Sequence, residues 1–229
     1  TLFPYTTLFR SPLEAAEGDA EEDVALEVVE ESEPLPEPEE PRVVTLDLET
    51  QRLASEVGGW RNTHLMRVSV AVAFDSRTGA FHCFTEEQVD DLLGLLTRAD
   101  LVVGFNVKRF DYGVLSAYSA VDLNTLNTFD ILQDVHRRLG HRLGLDHLAK
   151  ETLNRGKTAD GLQAVDWFRA GDLERLTRYC REDVAVTRDL FQFGLDNGHL
   201  IYRRKKENRR VRLMVDWKLE NMLERYGTA

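Results

Sequence analysis

The segment Leu65 to Phe74, LMRVSVAVAF, constrains the fold of this chain more than any other stretch. Its apolar, β-branched run reads as a strong strand. The turn SRTG (Ser76 to Gly79) leads it directly into a further strand, Ala80 to Phe84. Arg42 to Leu48, RVVTLDL, reads as the strand before this hairpin, with its apolar residues ending at polar Glu49 and Thr50. Thr85 then opens a helix, with Gln88 three residues later completing a capping box and Leu92, Leu93, Leu95 and Leu96 forming the buried stripe. Leu101 to Phe105 is a fourth strand, followed by a helix near Arg109 to Tyr118, and Thr128 to Ile131 is a fifth strand. The chain then turns mainly helical, ending in the long segment Asp172 to Asp196. A hairpin from His199 to Trp217, turning at Glu207-Asn208, precedes a last helix, Lys218 to Tyr226. The pattern predicts an α/β domain: a mixed sheet of about five strands, the second antiparallel, with helices on both faces.

Residues 1–41 stand outside that pattern. Thr1 to Ser11, TLFPYTTLFRS, reads as a translated sequencing-library adapter ahead of a truncated reading frame, because no methionine starts the chain. Residues 12–41 hold thirteen acids, no Lys or Arg, and every proline except Pro4, the composition of a disordered, self-repelling linker. The expected domain therefore covers 42–197, with 198–229 as a basic hairpin and helix extension. This division changes the meaning of the net charge of −11: residues 42–229 carry 28 basic and 27 acidic residues. The acidity belongs to the linker and does not exclude a polyanionic partner. No run reaches the roughly 18 unbroken apolar residues of a membrane helix. Cys83 and Cys180 lack CxxC spacing and read as reduced thiols of a cytoplasmic protein.

Three acidic motifs carry chemistry. Asp47 and Glu49 are two apart on a strand, so both carboxylates project from one face and repel unless a cation lies between them; a hard ion such as Mg²⁺ prefers such oxygen ligands. Asp111 follows the fourth strand in Asn106-Val-Lys-Arg-Phe-Asp111, and a fourth strand beside the first would bring it toward Asp47. Asp183 ends Tyr179-Cys-Arg-Glu-Asp183, and positions i and i+4 share a helix face, which sets a phenol beside a carboxylate. Taken singly, each motif reads first as a solvated surface acid. Together they follow the order D-x-E, N-x3-F-D, Y-x3-D at separations of 62 and 72 residues.

In that order and spacing, residues 42–196 resemble the DEDD exonucleases of the ribonuclease H-like superfamily. The resemblance is to the subgroup with a tyrosine in the third motif, since the position a histidine would need is Arg178. DLETQRLASEVGGW (Asp47 to Trp60), GFNVKRFDYGVL (Gly104 to Leu115) and the stretch Gly156 to Phe191 are further similar to the exonuclease-like domain beyond the motor of some bacterial DEAD/DEAH-box helicases. An acidic, proline-rich linker suits such an attachment.

The resemblance implies a 3'-to-5' exonuclease acting on a single-stranded DNA or RNA 3' end, with a helicase motor upstream in the same chain. It implies phosphodiester hydrolysis with two divalent cations, Mg²⁺ or Mn²⁺, held by Asp47, Glu49, Asp111 and Asp183. Asp47 is the candidate for bridging both ions, and Glu49 for also touching the terminal 3' hydroxyl. Tyr179 orients the attacking water rather than acting as the base, given a phenol pKa near 10.

Substrate contacts are read more openly. Asn106 bonds the substrate or braces its loop. Thr50 offers its backbone to the last nucleotide. Trp60 stacks on a base or caps a core. Lys157 meets phosphate or solvent. The run Arg203 to Arg212, RRKKENRRVR, has seven basic residues in ten. With Arg203, Arg204, Arg209 and Arg210 it forms either a phosphate-binding rim or a charge-protected strand edge.

Arg155-Gly-Lys-Thr158 is not a P-loop: the first glycine of that motif would fall at Glu151, and no strand precedes it. The six histidines show no zinc spacing. The rival functions are a catalytically silent nucleic-acid clamp and an endonuclease on the same fold.

Overall fold

Alternation along the first strand sets up the domain. In the computed structural model, which describes residues 40–156, 161–204 and 207–224, β1 (Val43–Thr50) turns Val44, Leu46 and Leu48 into an apolar core on one side of the sheet. Asp47 and Glu49 therefore point to the opposite side. A one-residue slip would exchange these leucines and acids across the sheet, so burial of Leu46 and Leu48 (1% and 2% exposed) also fixes where the carboxylates go. β1 runs two residues further than the sequence suggests, and both acids sit within the strand before a register shift at Glu49/Thr50.

The five-stranded sheet has the order β3-β2-β1-β4-β5. β2 (Val68–Asp75) and β3 (Ala80–Thr85) form the expected antiparallel hairpin beside β1. β4 (Leu101–Gly104) and β5 (Thr128–Asp130) continue the sheet in parallel on the other side. The start of LMRVSVAVAF is not strand: Thr63–Leu65 forms a 3-10 turn, and Arg67 takes a positive φ before β2 begins.

One face of the sheet is covered by α1 (Val89–Thr97), entered through the expected Thr85/Gln88 capping box, and by α2 (Asp111–Leu115). α2 is shorter than the helix expected from Arg109 to Tyr118. The other face carries α6 (Leu173–Asn197), which crosses β1 and β2 and packs Leu176, Tyr179, Cys180 and Val184 against Val70 and Val72. Asp172 caps α6 by accepting from the Arg175 amide at 3.2 Å. α5 (Gly161–Arg169) lies beside α6, while α3 (Ile131–Leu139) and α4 (Leu145–Leu153) complete that layer.

The C-terminal hairpin, β6 (His199–Arg204) and β7 (Arg209–Met214), packs on α4 and the end of α6, and a short α7 (Leu219–Glu224) follows. Gly194 is required here, because a Cβ at this position would enter the Trp217 ring. No helix among the described residues is long and apolar enough to cross a membrane. The stretch read as an adapter, nearly all of the expected linker, Lys157 and the last residues expected in the terminal helix lie outside the described residues.

Candidate active site

The sheet delivers Asp47 and Glu49 to the face that α6 crosses, and α6 brings Asp183 to meet them. One carboxylate oxygen from each of the three lies within 4.8 Å of the others, and all three side chains are half-buried. The helix period accounts for the partners at this crossing. Tyr179, one turn before Asp183, points to the same side, and Cys180 faces the strand directly. The Cys180 thiol donates to the Asp47 carbonyl at 3.3 Å and lies 3.6 Å from Asp47 Oδ2. Sequence reasoning gave Cys180 no part in the site. Its signal was its place between Tyr179 and Asp183, on the helix stripe that has to pack against β1.

Asp111 arrives from the far side of β1. At the end of β4, Gly104 permits an abrupt turn: a Cβ there would lie 2.5 Å from that of Val107. Asn106 takes a positive φ of 70°, and Asp111 becomes the first residue of α2. The Asp111 side chain is 2% exposed and sits against its own amide and that of Leu48, the residue between Asp47 and Glu49. Its Oδ1 has no hydrogen-bond partner. It stands outside the tight trio, yet it is the neighbouring charge that acts most strongly on Asp47.

The turn that carries Asp111 is held by Asp130 at the end of β5, another residue the sequence reading missed. Its carboxylate accepts from the amides of Asn106 (2.9 Å), Lys108 (3.2 Å) and Gln133 (3.2 Å), which also caps α3. An Asp at a strand-to-helix junction was the available signal.

Electrostatically the cluster is poised for a cation. Burial pushes the carboxyls of Asp47, Glu49 and Asp111 well above the ordinary carboxylate range. Mutual repulsion adds to this: Asp111, Asp183 and Glu49 act on Asp47, while Asp183 and Asp111 act on Glu49. Four carboxylates, one of them with an orphaned buried oxygen, suit a divalent ion of the Mg²⁺ or Mn²⁺ kind, whose charge would relieve both costs. Burial, then Asp183, raises the Tyr179 phenol far above its usual value, and its hydroxyl donates to Asp183. Trp167 packs edge-on against Tyr179 at 5.7 Å, with the Arg175 guanidinium over the indole.

Beside the acids opens a cleft of about 620 Å³ lined by Thr50, Trp60, Met66, Asn106, Phe110 and Leu162, among others. Trp60 is 67% exposed and meets Phe110 edge-to-face at 6.0 Å, so it walls the cleft rather than capping a core. Thr50 is buried, its hydroxyl donating to the Arg52 carbonyl. The Asn106 side chain accepts from Arg142 at 2.7 Å.

Among the described residues, none of the basic hairpin lines this cleft. Arg203 (2.9 Å) and Arg210 (3.2 Å) both grip buried Glu151 on α4, a contact that anchors the hairpin. Arg204 and Arg209 pair loosely with exposed Glu207 at 3.4 and 3.7 Å.

Residues 44–193 match the family described as the RNase H superfamily. The chain belongs to the RNase H superfamily. Its mixed sheet with acids on the central strand is the RNase H-like fold, extended here by the C-terminal hairpin and helix. Comparison with curated proteins finds no match. Among solved structures, the RNase H-like chain is similar to the family B DNA polymerase from the hyperthermophilic archaeon Pyrobaculum calidifontis. The TM-score is 0.50 at 17% identity, over 69% of this chain and 25% of the polymerase. At that identity the likeness bears on the fold, and it spans a quarter of the polymerase's length.

Proposed function

We propose that this chain is a metal-dependent 3'-to-5' exonuclease of the tyrosine DEDD subgroup. It hydrolyses single-stranded nucleic acid as part of a larger helicase-nuclease. The observation that carries the reading is the meeting of Asp47, Glu49 and Asp183 within 4.8 Å, beside the buried, unpartnered Oδ1 of Asp111. Clustered acids with no use for a cation only destabilise a fold. The matching family and the likeness to a DNA polymerase support a substrate of nucleic acid.

In this reading Asp47, Glu49, Asp111 and Asp183 hold two divalent cations, Mg²⁺ or Mn²⁺. When bound, these supply Lewis acidity and neutralise charge developing on the phosphate. The remaining work falls to the chain. Tyr179 stays protonated through the working pH range because burial and Asp183 both oppose its ionisation. It therefore acts as a hydrogen-bond donor and orients the attacking water instead of taking its proton. Trp60 and Phe110 offer aromatic faces to the terminal base. Thr50 and Asn106 lie at the cleft wall, where this reading puts the sugar and phosphate of the last nucleotide.

The test is an oligonucleotide labelled at its 5' end and incubated with Mg²⁺ or Mn²⁺, with DNA and RNA in parallel. A ladder shortening from the 3' end is expected, absent with Asp183→Ala protein. Cleavage of a circular single strand would instead assign an endonuclease. Products equal to those of Asp183→Ala would leave a silent clamp.

A further inference from the structure

Three hollows on this molecule share walls. Trp60, Asn106 and Phe110 line the acid cleft and also a second hollow of about 290 Å³ that contains Arg109 and Arg142. Arg142 in turn lines a third cleft, of about 740 Å³, together with His141, His147, Arg203 and Arg204 beside the β6–β7 hairpin. Their shared residues set the three in succession from the acid cluster to the basic extension.

Charge changes sign along this path. It begins at the Asp47 and Glu49 carboxylates and passes Arg109 and Arg142, neither of which pairs with a carboxylate among the described residues. The Arg142 guanidinium is held in place by its bond to Asn106 Oδ1 at 2.7 Å, so it is ordered before any ligand arrives. In the third cleft the acid at the wall is Glu207, which is exposed and only loosely tied to Arg204. Arg203 is committed to Glu151, leaving Arg204 as the uncommitted hairpin arginine at this cleft among the described residues.

We infer that this path carries the phosphodiester backbone of the substrate strand upstream of its 3' end, with Arg109, Arg142 and Arg204 as the phosphate contacts. The inference rests on the nuclease reading for its polarity, and it deepens that reading by assigning the basic extension a role. An acidic peptide suits the arginines but brings no base to stack on Trp60, whereas a nucleic acid has both a phosphate backbone and bases to stack. In this reading the hairpin is one part of a longer contact surface. Arg203 and Arg210 serve the fold, and residues 109 and 142, from other parts of the chain, supply the missing charge.

The experiment is fluorescence anisotropy of the full chain with a labelled oligo-dT of about 16 nucleotides, in EDTA so that no cleavage intervenes, across a salt series. For the double variant Arg142→Ala/Arg204→Ala, affinity at low salt is expected to fall about tenfold or more. The slope of log K against log salt becomes shallower by about 1.4, as for two lost single-strand phosphate contacts. Arg98→Ala serves as the control, since this exposed arginine follows α1 at the opposite end of the sheet. It should keep the wild-type slope.

An unchanged slope in the double variant, or an equal loss with Arg98→Ala, overturns the path. So does competition by polyglutamate as strong as that by oligo-dT. Salt-dependent binding that the double variant weakens, in a protein that hydrolyses nothing in Mg²⁺, upholds the path and rejects the nuclease reading. Hydrolysis with binding untouched by the double variant does the reverse.

Discussion

The Cys180 thiol donates to the backbone carbonyl of Asp47 at 3.3 Å and sits 3.6 Å from its carboxylate, fastening α6 to β1 at the centre of the acid cluster. Cys180 is fully buried, and burial together with the surrounding acids pushes its pKa well up, so it stays a neutral donor. Cys180→Ala removes this donor and leaves a small void. Stability in urea should fall by about 1–2 kcal/mol, and Mg²⁺ should bind more weakly because Asp47 loses its tether. In the wild type a thiol reagent should modify exposed Cys83 and spare Cys180 until the protein unfolds.

The acid cluster makes stability depend on pH in a direction opposite to most carboxylates. Asp47, Glu49 and Asp111 have folded pKa values raised above those of the unfolded chain, first by burial. Their contribution is fully present below the unfolded range of roughly pH 4 and is lost as pH rises through the raised folded values. In EDTA, thermal scans should show Tm falling as pH rises above that range. Glu49→Gln should have the higher Tm at pH 8, since it removes one of the repelling charges. Mg²⁺ at a hundred times its Kd should stabilise the wild type by about 2.7 kcal/mol and Glu49→Gln far less. A wild-type Tm indifferent to EDTA would count against the metal site.

Tyr179→Phe separates orientation from metal binding. The hydroxyl is lost while the ring, packed against Trp167, remains. The turnover number for a 3'-end substrate should drop roughly 10–100-fold, the cost of a misplaced attacking group. The Tm and its Mg²⁺ increment should stay at wild-type values. A pH–rate profile that keeps its shape in the variant agrees with a phenol that never titrates.

Gly194→Ala tests the join between the domain and its extension. The added methyl enters the Trp217 ring, whose indole also donates to buried Asp134 at 2.8 Å. Urea denaturation should show a loss of about 1–3 kcal/mol, typical of overpacking. Trp217 fluorescence should shift as the ring moves.

Much of this arrangement is written in short-range pattern. Alternation of leucines and acids in β1 determines which face of the sheet receives Asp47 and Glu49. The helix period does the same for Tyr179 and Asp183, and the strong β2–β3 hairpin determines the direction of half the sheet. The likeness to a tyrosine-type third motif is legible for the same reason, since i and i+4 are neighbours in any helix.

Other features depend on distances the chain closes only when folded. Helix α2 is shorter than its apolar pattern suggests because the Gly104–Val107 turn and the Asp130 carboxylate hold the loop before it. Trp60 was undecided in sequence, since an indole suits a core or a cleft equally; only the position of Phe110 selects the cleft. The arginines of the hairpin look alike in sequence, yet buried Glu151 claims Arg203 and Arg210 and leaves Arg204 and Arg209 to exposed Glu207.

By itself, then, the sequence determined the sheet, the helix faces and the carboxylates that could share a cation, because periodicity is a local property of the backbone. Tertiary structure decided that three of those carboxylates converge, that Asp111 stands buried beside them with an unpartnered oxygen, and which arginines of the hairpin are tied to buried Glu151. Those outcomes depend on burial and on partners brought from distant parts of the chain, and both come into being only when the elements pack.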